Sequence, residues 1–159
     1  MKNLKAMTVT LAILSLGLFF GCGSSQDPAK YNNKLMALMN KNETDMTSMN
    51  TAMSAHDYQK AETARKTWEG DLDAALKQAK EAGDFKRDDS LKRIIVDGLN
   101  AYKRIVSYEY RELIVIRSKD DANRQIKERE LLGHINEVFE EVGNTINKAS
   151  SDFQTKYAK

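Results

Sequence analysis

Five methionines crowd into one stretch of the chain, at Met36, Met39, Met46, Met49 and Met53, and His56 follows them. Met49, Met53 and His56 stand at i, i+4 and i+7, which on a continuous helix is a single face. Thioethers and an imidazole are soft donors, and such a set holds Cu(I) in an oxidising compartment. The same methionines also prolong an apolar face begun by Leu35 and Leu38, where Met serves as a flexible core filler. Packing is the simpler reading, and soft-metal binding is its alternative.

Two other constellations invite chemistry. Glu130, His134, Glu137, Glu140 and Glu141 lie close together, but a di-iron bundle needs Glu-x-x-His motifs on two helices. Here the spacing is Glu130-x-x-x-His134 and the chain has only two histidines, so a solvated charged face is expected instead. Tyr102, Tyr108 and Tyr110 interleave with Lys103, Arg104 and Arg111. Tyr and Arg are enriched at binding hot spots, so this is a candidate protein-interaction surface. The same mixture also forms the edge of an amphipathic core, with the cationic heads snorkelling outward.

Motifs of other classes are absent. There is no Cys-x-x-Cys-His for haem, no Gly-rich phosphate loop and no nucleophile elbow. A Ser–His pair meets only in space, but two histidines leave little material for hydrolysis. No cofactor and no enzymatic activity are therefore expected.

The elements that must carry these residues read as helices. One proline and few glycines in 159 residues argue against a turn-rich β fold. Asp27-Pro28 is a helix start, with Asp as N-cap and Pro at the first helical position. Tyr31, Leu35, Leu38, Asn42, Met46, Met49 and Met53 then recur at steps of four and three, predicting a helix to about residue 55. Asp57 can cap a second helix with an inner face of Tyr58, Ala61, Ala64, Trp68, Leu72, Ala75, Leu76 and Ala79, closed by Gly83. A charged connection around Phe85 follows, and Asp88, Asp89 or Ser90 can cap a third helix running from Leu91 to Ile116. Ser118 to Asp121 forms a turn, with Asp120 or Asp121 as cap. The fourth helix carries Leu131, Ile135, Val138, Val142, Ile146, Ala149, Phe153 and Tyr157, with Gly133 and Gly143 as candidate points of close approach. Short connections make sequential helices antiparallel neighbours. The predicted fold is all-α, an antiparallel up-down-up-down four-helix bundle over residues 28–159.

The N-terminal residues supply the location. Lys2 and Lys5 precede an apolar stretch from Ala6 to Phe20, the layout of a signal peptide over residues 1–21. That stretch is shorter than the roughly 20 residues of a comfortable membrane span. It ends in Leu18-Phe19-Phe20-Gly21-Cys22, where a small residue before the only cysteine looks like a lipobox. Residues 22–27 then form a lipidated Cys22 and a short polar tether. Acyl chains contribute about 0.8 kcal/mol of membrane affinity per CH₂, so several of them anchor a domain stably. The membrane is thus the expected partner, through lipid on Cys22, and the outer membrane the expected destination, facing periplasm or exterior.

Charge excludes a further class. Of the 25 basic residues, Lys2 and Lys5 fall in the leader, which leaves 23 against 23 acidic residues. A neutral, mixed-sign domain lacks the driving force for nucleic-acid binding.

Tyr31-Asn32, Gly83-Asp84-Phe85, Asp88-Asp89-Ser90-Leu91, Tyr102-Lys103, Glu109-Tyr110, and Phe153 with Lys156-Tyr157 form a series along the chain. It resembles a family of uncharacterised small helical surface lipoproteins of spirochaetes, Bacteroidota and related Gram-negative bacteria. In that family a second Gly usually stands at the place of Arg87. The resemblance implies an exported lipoprotein and implies no reaction. The sequence thus predicts a membrane-anchored envelope lipoprotein acting as a non-enzymatic structural or protein-interaction module, the alternative being an envelope module that binds a small ligand or Cu(I) in the bundle interior. Cys22→Ala should abolish incorporation of a fatty-acid analogue in the native host, and undiminished labelling would refute the anchor.

Overall fold

The computed structural model describes residues 27–119 and 124–157. The leader, Cys22, most of the tether and the proposed caps Asp120 and Asp121 lie outside the described residues. The described chain is helical, in the order α1 (Pro28–Ser54), α2 (Tyr58–Glu81), α3 (Ser90–Ser107), α4 (Glu109–Ser118) and α5 (Arg124–Tyr157). No described helix is long and apolar enough to cross a membrane.

The helix starts follow capping chemistry. Asp27 Oδ1 accepts from the Ala29 and Lys30 amides, at 2.9 and 3.3 Å, with Pro28 at the first helical position. Asp57 Oδ1 accepts from the Lys60 amide at 2.9 Å. At α3 the capping oxygen comes from Asp88, which accepts from the Ser90 amide, while Asp89 makes no side-chain cap bond. Gly83 ends the second rod at φ +71°, a left-handed conformation that glycine adopts without penalty.

The predicted third helix is one rod with a bend. The helix breaks at Tyr108 (φ −114°, ψ −67°), which separates α3 from α4. Backbone bonds still cross the break, from Tyr108 N to Arg104 O at 3.0 Å and from Glu112 N to Tyr108 O at 2.9 Å. The β-branched run Leu113 to Ile116 belongs to α4 and is not a strand.

One apolar cluster joins all five helices. α1 packs on α2, α2 on α3, and α3 on α5, while α4 lies against α5 and α2. Leu35, Met49, Trp68, Leu72, Ile95, Leu99, Ile105 and Val106 are fully enclosed. Phe85 joins them, which corrects the reading of its segment as merely a charged connection. Its ring meets Tyr31, Phe153 and Tyr157 at centroid distances of 5.3, 5.0 and 4.8 Å, closing one end of the core. The backbone makes this possible by a tight turn in which Phe85 and Asp88 exchange amide bonds. Lys86 and Arg87, between them, take φ of +51° and +68°, a conformation that costs an L-residue. Arg87 is the position where the family resemblance has glycine.

The close approach between helices also sits elsewhere than expected. A Cβ at Gly133 or Gly143 would meet nothing within 4 Å. A Cβ at Gly98 would lie 2.7 Å from Ile146 Cδ1 and 3.0 Å from Val142 Cγ1, so Gly98 is what lets α3 and α5 touch. Opposite outcomes follow on thermal melting. Gly98→Leu should cost about 2 kcal/mol by overpacking, whereas Gly133→Ala should add up to about 1 kcal/mol through helix propensity.

Candidate functional site

The candidate residues are sorted by the fold into buried and presented groups. Met49 and Met53 are buried in the core between helices. α1 ends at Ser54, and His56 follows in the turn at φ +56°, exposed and edge-on to Tyr58 at 6.3 Å. The helical spacing that placed His56 on the face of Met49 therefore does not continue to it. Met53 and His56 do border one shallow hollow, together with Arg124 and the paired Arg117 and Glu128. Among the described residues, no group of three or more His, Cys, Asp or Glu is placed to hold a metal.

The Tyr/Arg constellation also divides. Tyr102 and Tyr110 face inward, which corrects their place on a common surface. Tyr110 lies 5.2 Å from Trp68, and burial pushes its hydroxyl up to about 12. Tyr102 packs on Phe139 at 4.8 Å, and burial, then the charge of Glu43, push the pKa of its hydroxyl up. Tyr108 stays outside, 61% exposed, with the Arg111 guanidinium 5.8 Å from its ring centre. Arg104 and Arg111 are exposed. Tyr108, Arg111 and Val115 stand at i, i+3 and i+7 along α4, so they form one outward stripe. Tyr108 and Val115 are two of only three large apolar side chains exposed among the described residues.

Polar residues that the apolar periodicity missed hold this surface in place. Arg65 is buried on the inner side of α2 and forks onto Glu62, with Nε and Nη2 each 2.8 Å from a carboxylate oxygen. Its Nη1 reaches Glu69 at 3.0 Å and the Val106 carbonyl at 3.4 Å. Glu69 in turn accepts from Ser107. Hydrogen bonding to Arg65 holds the Glu62 carboxyl below its usual pKa, and bonding to Ser107 and then Arg65 does the same for Glu69. The network thus clamps α2 to the last turn of α3, beside the bend that aims Tyr108 outward. On the other flank, His134 Nδ1 is 2.9 Å from Glu109 Oε1, tying α5 to the start of α4. The second oxygen of Glu109 is buried without a hydrogen-bond partner among the described residues. Arg117 and Glu128, 2.6 Å apart, tie the end of α4 to α5. Of the predicted charged face of α5, only His134 engages in these ties to α4, and Glu128 lies outside that prediction.

Asp88 organises the opposite end. It accepts from Lys156 Nζ at 2.7 Å and the Tyr157 hydroxyl at 2.8 Å, besides the Ser90 amide. Lys156, then Ser90 and Tyr157, hold its carboxyl well below the usual carboxylate range. A depressed folded-state value stabilises the fold above the unfolded value near 3.8, and that contribution disappears as pH falls further. Asp88→Ala should therefore lower stability at neutral pH by about 2 kcal/mol. Urea melts at successively lower pH should show the difference between this variant and the native chain shrinking below about pH 4.

No protein-family model matches the chain, and it matches neither a curated protein nor a solved structure.

Proposed function

We propose that this protein is a bacterial envelope lipoprotein whose helical domain, held at the membrane by lipid on Cys22, acts as a non-enzymatic protein-interaction module. The observation that carries the interaction reading is the exposed Tyr108–Arg111–Val115 stripe on α4. An aromatic ring stacked by a guanidinium is the kind of anchor that dominates binding hot spots. Ile126 is the one other large apolar side chain exposed among the described residues. The Arg65 clamp and the His134–Glu109 and Arg117–Glu128 pairs support a preformed rather than adaptable surface, which reduces the ordering cost of association.

The helical rods run up-down-up-down in this reading. Tyr31 at the start of α1 donates to the Gly83 carbonyl beyond the end of α2, at 2.8 Å. Asp88 ahead of α3 meets Tyr157 at the end of α5. The bend at Tyr108 lies away from that end. The tether from Cys22 enters at Asp27, beside Tyr31, so the stripe is carried away from the bilayer, where an envelope partner can reach it. Within this proposal the soft-metal alternative has less support, because Met49 and Met53 serve the core.

Crosslinking in intact cells, with a photoreactive residue at position 112 beside the stripe, tests the reading. A discrete adduct should form and should disappear when Tyr108→Ala and Val115→Asp are introduced. Both residues are exposed, so the melting temperature should move by less than the equivalent of about 0.5 kcal/mol. Absence of any adduct from the unsubstituted stripe would overturn the proposal.

A further inference from the structure

Between α1 and α5 lies a hollow of about 250 Å³ that the interaction surface does not use. Tyr102 and Phe139 line it, their ring centres 4.8 Å apart and tilted by 48°. Met39 and Met46 flank the rings from α1. Gly143 faces them from α5, and its missing side chain leaves the space open, since a Cβ there would meet nothing within 4 Å. Among the described residues, Glu43 is the only charged one lining the hollow, and the amides of Asn40, Asn42 and Asn147 line it too.

We propose that this hollow binds a small organic cation with methyl groups on its nitrogen, a quaternary ammonium of the choline type. The chemistry selects against other ligands. An anion would meet Glu43 with no cationic side chain to offset it. A primary ammonium finds acceptors in the carboxamides of Asn40, Asn42 and Asn147, so contact with the rings and thioethers, not hydrogen bonding, carries the preference for methyl groups. A methylated ammonium donates no hydrogen bond. Its diffuse charge is attracted by the π faces of Tyr and Phe, and its methyl groups pack on polarizable Met side chains. Glu43 at the rim supplies the counter-charge. The amides of Asn40 and Asn147 remain for a polar group on the ligand. The volume suits a ligand smaller than a typical drug-sized molecule.

Titration of the full chain with tetramethylammonium and with choline at low ionic strength tests this, by calorimetry and by Trp68 fluorescence. Trp68 stacks on Phe139 at 6.3 Å and so reports on the hollow. Saturable binding of both cations is expected. The uncharged isostere of choline, in which carbon replaces the nitrogen, should bind at least about five-fold more weakly. Glu43→Gln, an exposed change, should weaken cation binding by a similar factor of about five. Gly143→Leu should fill the hollow and abolish binding, with helicity and melting temperature retained. Failure of both cations to saturate would overturn the proposal. Equal affinity for the uncharged isostere, or indifference to Glu43→Gln, would overturn it equally by making the hollow a neutral apolar site. Should Gly143→Leu fail to fold, the isostere and Glu43→Gln comparisons decide alone. None of these outcomes depends on lipidation or on the α4 stripe.

Discussion

The buried indole of Trp68 is the point around which the rest of the structure is arranged. A fully enclosed Trp must satisfy its one N–H, because an unpartnered buried donor costs a large share of a small domain's stability. Its Nε1 donates to Asn42 Oδ1 at 2.8 Å, and the Asn42 amide in turn donates to the carbonyls of Met39 and Leu38 on its own helix. Neither α1 nor α2 can slide along the other without breaking that bond. The ring also meets Tyr110 of α4 and Phe139 of α5, so one side chain locates three other helices. A second buried pair does the same at the far end of α1, where the Ser150 hydroxyl donates to Asn32 Oδ1 at 2.9 Å. Apolar burial drives collapse without direction. These two polar contacts give it a unique register.

The two ends of the bundle are finished by different means, and the difference bears on what each can do. At one end, aromatic rings around Phe85 are sealed by Asp88 and the last turn of α5, and the chain leaves toward residue 22 from that same end. Backbone strain at Lys86 and Arg87 is tolerated there because the turn delivers Phe85 into the core. At the Tyr108 bend the structure spends charge instead of rings. Arg65, Glu62, Glu69 and Ser107 hold the bend from inside, and His134 with Glu109 holds it from the side. A helix bent under such constraint presents a rigid surface, whereas the seam between α1 and α5 is left partly open. An interaction surface and a small-ligand hollow can coexist because they fall on these separate regions.

Much of the fold was legible as periodicity. The steps of three and four from Tyr31 to Met53, from Ala61 to Ala79 and from Ile135 to Phe153 correspond to buried faces, because a helix repeats its surface every 3.6 residues. The caps at Asp27 and Asp57 were legible because capping is local chemistry between residues two or three apart. Arg65, Asn32 and Ser150 were not legible, since a polar residue on an inner face looks like a solvated one until its distant partner is known. Phe85 was hidden by the charges on either side of it. The Tyr102–Tyr108–Tyr110 constellation failed as a unit because close neighbours in sequence on a helix point in different directions, and burial depends on what faces each one.

The amino-acid sequence by itself determined the helical class and where most helices begin, because each of these depends on order along the chain over a turn or two. Tertiary structure alone decided which glycine is a contact and which is a gap, which tyrosine is presented, and where charge lies against an aromatic hollow. Those properties belong to pairs of groups brought together from distant parts of the chain, such as Gly98 with Ile146 or Glu43 with Tyr102. No local pattern encodes such distances; only packing sets them.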